Sequence, residues 1–108
     1  MFNKLTTSYQ LFFSSLVIFF CSISYAQVQW HIQNSGTNTT LFDIHFTDAS
    51  NGWVAGNTGL ILHTSDGGVN WGEQVAPPNN TYYSIFFIDD QNGWAGGYAG
   101  KLIRTTDG

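Results

Sequence analysis

The sequence predicts an all-β chain built from a repeated four-stranded antiparallel unit, and three observations carry that prediction. Residues 41–67, LFDIHFTDASNGWVAGNTGLILHTSDG, align without a gap on residues 82–108, YYSIFFIDDQNGWAGGYAGKLIRTTDG, at an offset of 41, with 11 of 27 positions identical. Inside each copy, short runs alternate in the two-residue period of a strand, and beyond the N-terminal segment no stretch keeps a helical period. Between the runs stand Asn-Gly and Asp-Gly pairs, which turn a chain sharply.

The elements follow in order. Residues 1–26 read as a secretory signal peptide: Lys4, an apolar block from Leu11 to Phe20, and small residues Ser24 and Ala26 before a cleavage point. The block is too short to span a bilayer, which takes roughly 20 apolar residues, so the mature chain, 27–108, carries no integral membrane segment. Its localisation is then exported: periplasmic, cell-surface or extracellular. Residues 28–33 match the end of the first repeat, since Val28, Trp30 and Gln33 fall on Val69, Trp71 and Gln74 at the same offset. This lone fourth-strand equivalent is the piece that closes a ring of such units and removes its open edges.

Repeat one covers 41–74. Phe42, Ile44 and Phe46 share one face of its first strand. In the second copy that strand is apolar on both sides, as expected where both sheet faces are covered. Asn51-Gly52-Trp53 and Asn92-Gly93-Trp94 read as the repeat's tight turn. A strand over Trp53–Ala55, a turn at Asn57–Gly59, a strand over LILHT, the Asp66-Gly67-Gly68 turn and a last strand over Val69–Gln74 complete the unit. Pro77–Asn80 is a polar connector into repeat two, 82–108, which stops inside its own Asp-Gly turn.

Four strands in about 40 residues is the size of one β-propeller blade. A blade cannot cover both its faces alone, so blades stack around an axis. Two blades are fewer than a ring holds. The sequence therefore reads as part of a larger propeller, or as a chain whose copies assemble one.

Composition narrows the function. Three cations stand against seven acids, for a net charge of −4, and loss of Lys4 with the signal leaves −5. Lys101 and Arg104 alone make no phosphate-binding patch, which excludes nucleic acid as a partner. Aromatic residues at 17% and charged ones at 9% describe a packed chain rather than a disordered one. The single cysteine, Cys21, leaves with the signal, so packing must hold the exported chain without disulfides.

Thr64-Ser-Asp66-Gly-Gly68-Val-Asn-Trp71 resembles the Asp box of sialidase-like (BNR) repeats, with Asn70 where Thr is usual. The wider pattern, F.D..NGW..G..G.IL.T.DGG..W, is similar to the repeats of the photosystem II stability/assembly factor-like propellers across essentially the whole mature chain. That resemblance implies a non-enzymatic, often seven-bladed propeller that docks a protein partner. Two alternatives from other classes stay open. One is a secreted sialidase-like or other glycan-active enzyme whose catalytic residues lie beyond Gly108. The other is a lectin formed by oligomerised two-blade chains, with Tyr98 and the Asn79–Tyr83 stretch facing a glycan.

The candidate residues themselves favour structure over chemistry. Thr64, Asp66, Gly68 and Trp71, with Thr105 and Asp107 in the second copy, recur at the blade period, whereas a catalytic group is needed once. Asp66 is expected to accept backbone N–H groups of its own turn. The Asp48–Gly52 and Asp89–Gly93 loops lack the glycine and twelfth-position ligand spacing of a calcium loop. The Gly spacings lack the Lys-Ser/Thr ending and helix of a phosphate loop. His31, His45 and His63 show no paired ligand spacing and are replaced in the other repeat. No catalytic residue, cofactor or metal ligand is therefore assigned.

Overall fold

The computed structural model describes residues 26–108. The predicted signal segment, Ala26 apart, lies outside them. Among the described residues no helix is long and apolar enough to cross a membrane.

Two antiparallel meanders make up residues 32–108. The first runs β1 (Leu41–Phe46), β2 (Gly52–Gly56), β3 (Ile61–Thr64) and β4 (Gly72–Glu73), hydrogen-bonded in that order. The second runs β5 (Tyr82–Phe87), β6 (Gly93–Gly97) and β7 (Leu102–Thr105), again in chain order. These are blades of a β-propeller, and their registers repeat: His45 stands opposite Trp53 and Trp53 opposite His63, as Phe86 stands opposite Trp94 and Trp94 opposite Arg104. Even the bulge is duplicated, falling between Leu41 and Asp43 in one blade and between Tyr82 and Ser84 in the other.

The main core lies between the blades. Trp53, Ala55 and Ile61 of the first pack on Tyr82, Ile85, Phe87 and Ala95 of the second, with Ala76 and Ile103 at the margin. The Trp53 indole stacks flat on Phe87, centroids 3.8 Å apart at 10°, and lies between that ring and His63 at 4.7 Å. His45 meets Phe86 at 4.6 Å, and Phe42 meets Tyr83 edge-on at 5.0 Å. Burying rings of this size dominates the energetics of such a contact. A smaller cluster, Val54, Leu60 and Leu62 under Trp71, covers part of the first blade's other face.

Two sequence expectations change. The tight turn ends at Asn51 and does not include Gly52: Gly52 already lies in β2 with ordinary backbone, and the turn is closed by Thr47 N–H donating to Asn51 O at 3.1 Å. Glycine is required there because the Phe46 ring lies on it; a Cβ would sit 2.5 Å from that ring, and Gly93 repeats the arrangement under Phe87. The last strand of repeat one shrinks from Val69–Gln74 to Gly72–Glu73, because the Asp66 carboxylate engages Asn70 before the ladder begins. Residues 28–33, expected to complete the last blade of a ring, form no strand in these two blades, and Val28, Trp30 and Ile32 are exposed.

Candidate functional site

The Asp box is a closed hydrogen-bond circuit. Thr64, fully buried at the end of β3, donates its hydroxyl to Asp66 Oδ1 at 2.8 Å and accepts Gly68 N–H at 2.9 Å. Asp66 then accepts Asn70 N–H on Oδ1 at 2.9 Å and the Asn70 side-chain amide on Oδ2 at 2.8 Å. Gly67 and Gly68, at φ of 70° and 91°, make the left-handed corner that lets the loop close. The hydrogen bonds from Asn70, then that from Thr64, hold the Asp66 carboxyl down at about 2. Asn70, the departure from the usual box, thus supplies a second bond that ties both carboxylate oxygens. Trp71 leaves the loop to cover Val54, Leu60 and Leu62, with its ring edge-on to Phe46 at 6.0 Å.

The second copy is simpler. Thr105 donates its hydroxyl to Asp107 Oδ1 at 2.9 Å, and Gly108 N–H reaches Gln91 O at 3.0 Å. The Asp48 and Asp89 loops are Asx-type turns. Asp48 accepts Ser50 and Asn51 N–H at 2.7 Å each, and Asp89 accepts Gln91 and Asn92 N–H at 2.9 and 2.7 Å. Each also holds the Asn side chain, Asn51 or Asn92, that precedes the strand glycine. Asp48 is held below the ordinary carboxylate range chiefly by the Asn51 side chain, and Asp89 chiefly by Gln91 N–H. Trp53 and Trp94 follow in the strands, the first buried and the second half-buried.

These carboxylates are occupied by hydrogen bonds of the turns that carry them. Among the described residues no three His, Cys, Asp or Glu side chains converge as metal ligands. His63 is used as a flat ring against Trp53, and His45 as one against Phe86.

Two roles escape sequence reasoning. Asp43 sits at the bulge of β1 and reaches across the blade boundary, accepting Ile85 N–H at 2.9 Å on Oδ2 while Oδ1 takes Ile44 N–H. The available signal is an acid inside an otherwise apolar-faced strand. Arg104, at the position of His63, lies over the Trp94 ring at 5.2 Å; the repeat alignment pairs the positions without revealing that both cover a tryptophan.

Antiparallel blades repeated at 41 residues and closed by Asp-box turns define a repeat of the β-propeller class. The sequence model of the family described as "Photosynthesis system II assembly factor YCF48" matches residues 23–108, and the chain belongs to that family. Among solved structures it is similar to YCF48 from Cyanidioschyzon merolae, with 25% identity and a TM-score of 0.64 over 76% of this chain and 26% of that one. It is also similar to a structure titled "YCF48 bound to D1 peptide", with 26% identity and a TM-score of 0.58 over 66% of this chain and 24% of that one. The chain thus spans about a quarter of the length of these relatives. No curated protein sequence matches it.

Proposed function

We propose that this chain supplies blades to an exported, non-catalytic propeller that holds a peptide segment of a partner protein against its surface. Family membership carries this reading, together with the relative solved bound to a D1 peptide. The use of the Asp-box and Asx-turn carboxylates inside their own turns supports the non-catalytic part. The N-terminal segment, with Lys4, the apolar block Leu11–Phe20 and the small residues Ser24 and Ala26, supports export.

Two measurements test it. Synthetic ten-residue peptides are titrated onto the full-length natural protein by fluorescence anisotropy, and the same preparation is assayed against sialosides and other glycosides. Saturable peptide binding without turnover is the expected result, and hydrolysis of any glycoside sinks the non-catalytic reading. Sequencing the N-terminus of the protein recovered outside the cytoplasm should begin at Gln27. A chain starting at Met1 in the cytoplasm would remove the export.

A further inference from the structure

The third strands of the two blades differ on their outer side. In the first blade β4 covers β3: Leu62 stands opposite Glu73 and His63 opposite Gly72, and Gln74 N–H donates to Ile61 O at 2.8 Å. Trp71, just ahead of β4, lies over Val54, Leu60 and Leu62. In the second blade, among the described residues, no strand lies beyond β7. A cleft of about 660 Å³ opens there, and Ala95 and Ile103, the counterparts of Val54 and Leu62, help to line it. A strand edge with unpaired N–H and C=O groups is a template for another strand.

The chain holds a second segment of the β4 type. Residues 28–33, VQWHIQ, fall on residues 69–74, VNWGEQ, with Val, Trp and Gln shared. Val28, Trp30 and Ile32 are fully exposed. Three large apolar side chains so close together in water mark a segment that another surface covers.

The outer sheet faces match in the same way. Inside the chain, Trp53 of the first blade stacks on Phe87 of the second. Their counterparts, Trp94 and Phe46, lie on the two outer faces, Trp94 half-buried and Phe46 exposed along with Ile44. The outer faces are thus the two halves of the junction that the chain already contains.

We infer that copies of this chain assemble head to tail, residues 28–33 of one copy adding to the edge of β7 in the next as its fourth strand. The β3–β4 pairing, carried over by the repeat, fixes the register: Ile32 stands opposite Ile103, His31 opposite Arg104, and Gln33 N–H donates to Leu102 O. Trp30 enters the cleft over Ala95 and Ile103, and Trp94 of the accepting copy lies on Phe46 of the donating one. An unrelated peptide can take an open edge as an added strand, but it brings no face to match Trp94. A head-to-tail contact of this kind forms a ring when its rotation closes. The inference rests on the propeller fold rather than on peptide binding, and it names what completes the ring.

The test uses the chain freed of its predicted signal segment, residues 27–108. In sedimentation across a dilution series it should form oligomers of about two to four copies, since rings hold roughly 4 to 8 blades. Trp30→Ala removes a side chain that is exposed in the single copy, so the blades should keep their fold. Half-assembly should then need about tenfold more protein, the loss expected of a buried interface tryptophan. Residues 27–108 contain no cysteine, so Ile32→Cys combined with Ile103→Cys gives a second reading. Oxidation should join position 32 of one chain to position 103 of another, read by mass spectrometry of the linked peptides. A monomer at every concentration, oligomers indifferent to Trp30→Ala, or the lack of that link between chains overturns the inference. So does a natural protein that runs on past Gly108 into a fourth strand of its own, because that strand takes the edge. Peptide binding stands in each case.

Discussion

The two blades carry apolar residues at equivalent places and bury them on opposite faces. Ile44 is 56% exposed while its counterpart Ile85 is 4% exposed, and Phe46 is 38% exposed against 4% for Phe87. On the opposite faces the order reverses: Ile61 is 8% exposed and its counterpart Leu102 is 72%. Ile61 differs from Leu102 also in having β4 beside its strand. Register matches in every pair, and Ile44, Phe46, Ile85 and Phe87 all lie on the first strand of a sheet, so the sheet is not what buries Ile85 and Phe87. The neighbouring blade is. A propeller blade holds its core in common with the next one, and a residue's burial is decided 41 positions away in sequence.

The largest test of that comparison is a pair of tryptophan truncations. Trp53 is stacked between His63 and Phe87 in the shared core, whereas Trp94 is half-buried under Arg104. In the 108-residue chain, diluted to single copies, Trp53→Ala should cost about 3–5 kcal/mol, enough to abolish a cooperative urea transition. Trp94→Ala should cost less than half as much. Equal losses would show that the outer face of the second blade is covered too, by another copy of the chain.

A smaller contrast lies at the strand glycines. An added Cβ meets the Phe46 ring at Gly52 and the Phe87 ring at Gly93, in both cases at 2.5 Å. Phe46 borders solvent and can swing aside; Phe87 is held under Trp53 and cannot. Gly93→Ala should therefore destabilise by about 1–3 kcal/mol, the usual range for overpacking, and Gly52→Ala by clearly less. If denaturant midpoints move equally, the close approach rather than the ring's confinement sets the cost.

The same glycines show where sequence reading stops. The 41-residue period, the strand alternation and the Asp box are local patterns, and all were legible. Gly52 was legible as special but for the wrong reason, because Asn-Gly signals a turn locally and nothing local reports a phenylalanine ring lying on it. The short β4 was missed for a related reason. Its alternation is intact in sequence, but a carboxylate four residues back takes the N–H of Asn70 first. The Asp43 clasp lay out of reach altogether, since its partner is a backbone N–H in the next blade.

The smallest expected effects separate the complete box from the partial one. Asp66 accepts from Thr64 and twice from Asn70, while the Asp107 carboxylate accepts the Thr105 hydroxyl and its own N–H donates weakly back to Thr105 Oγ1. Asp66→Asn should lower the melting temperature, and Asp107→Asn should lower it less.

Acid resolves the same difference in a single protein. Asp66 titrates at about 2, below its ordinary 3.8, so the folded state favours the ionised form and the unfolded chain binds the proton first. The stabilisation is then complete above pH 3.8 and is lost as pH falls toward 2. Asp48 and Asp89 shift in the same direction and add to the slope. Melting temperature followed from pH 5 to pH 2 should fall more steeply for the natural chain than for Asp66→Asn, which has no carboxylate to protonate there. Parallel curves would mean that the unfolded chain keeps the Asp66 turn, and that the box closes locally before the blades meet.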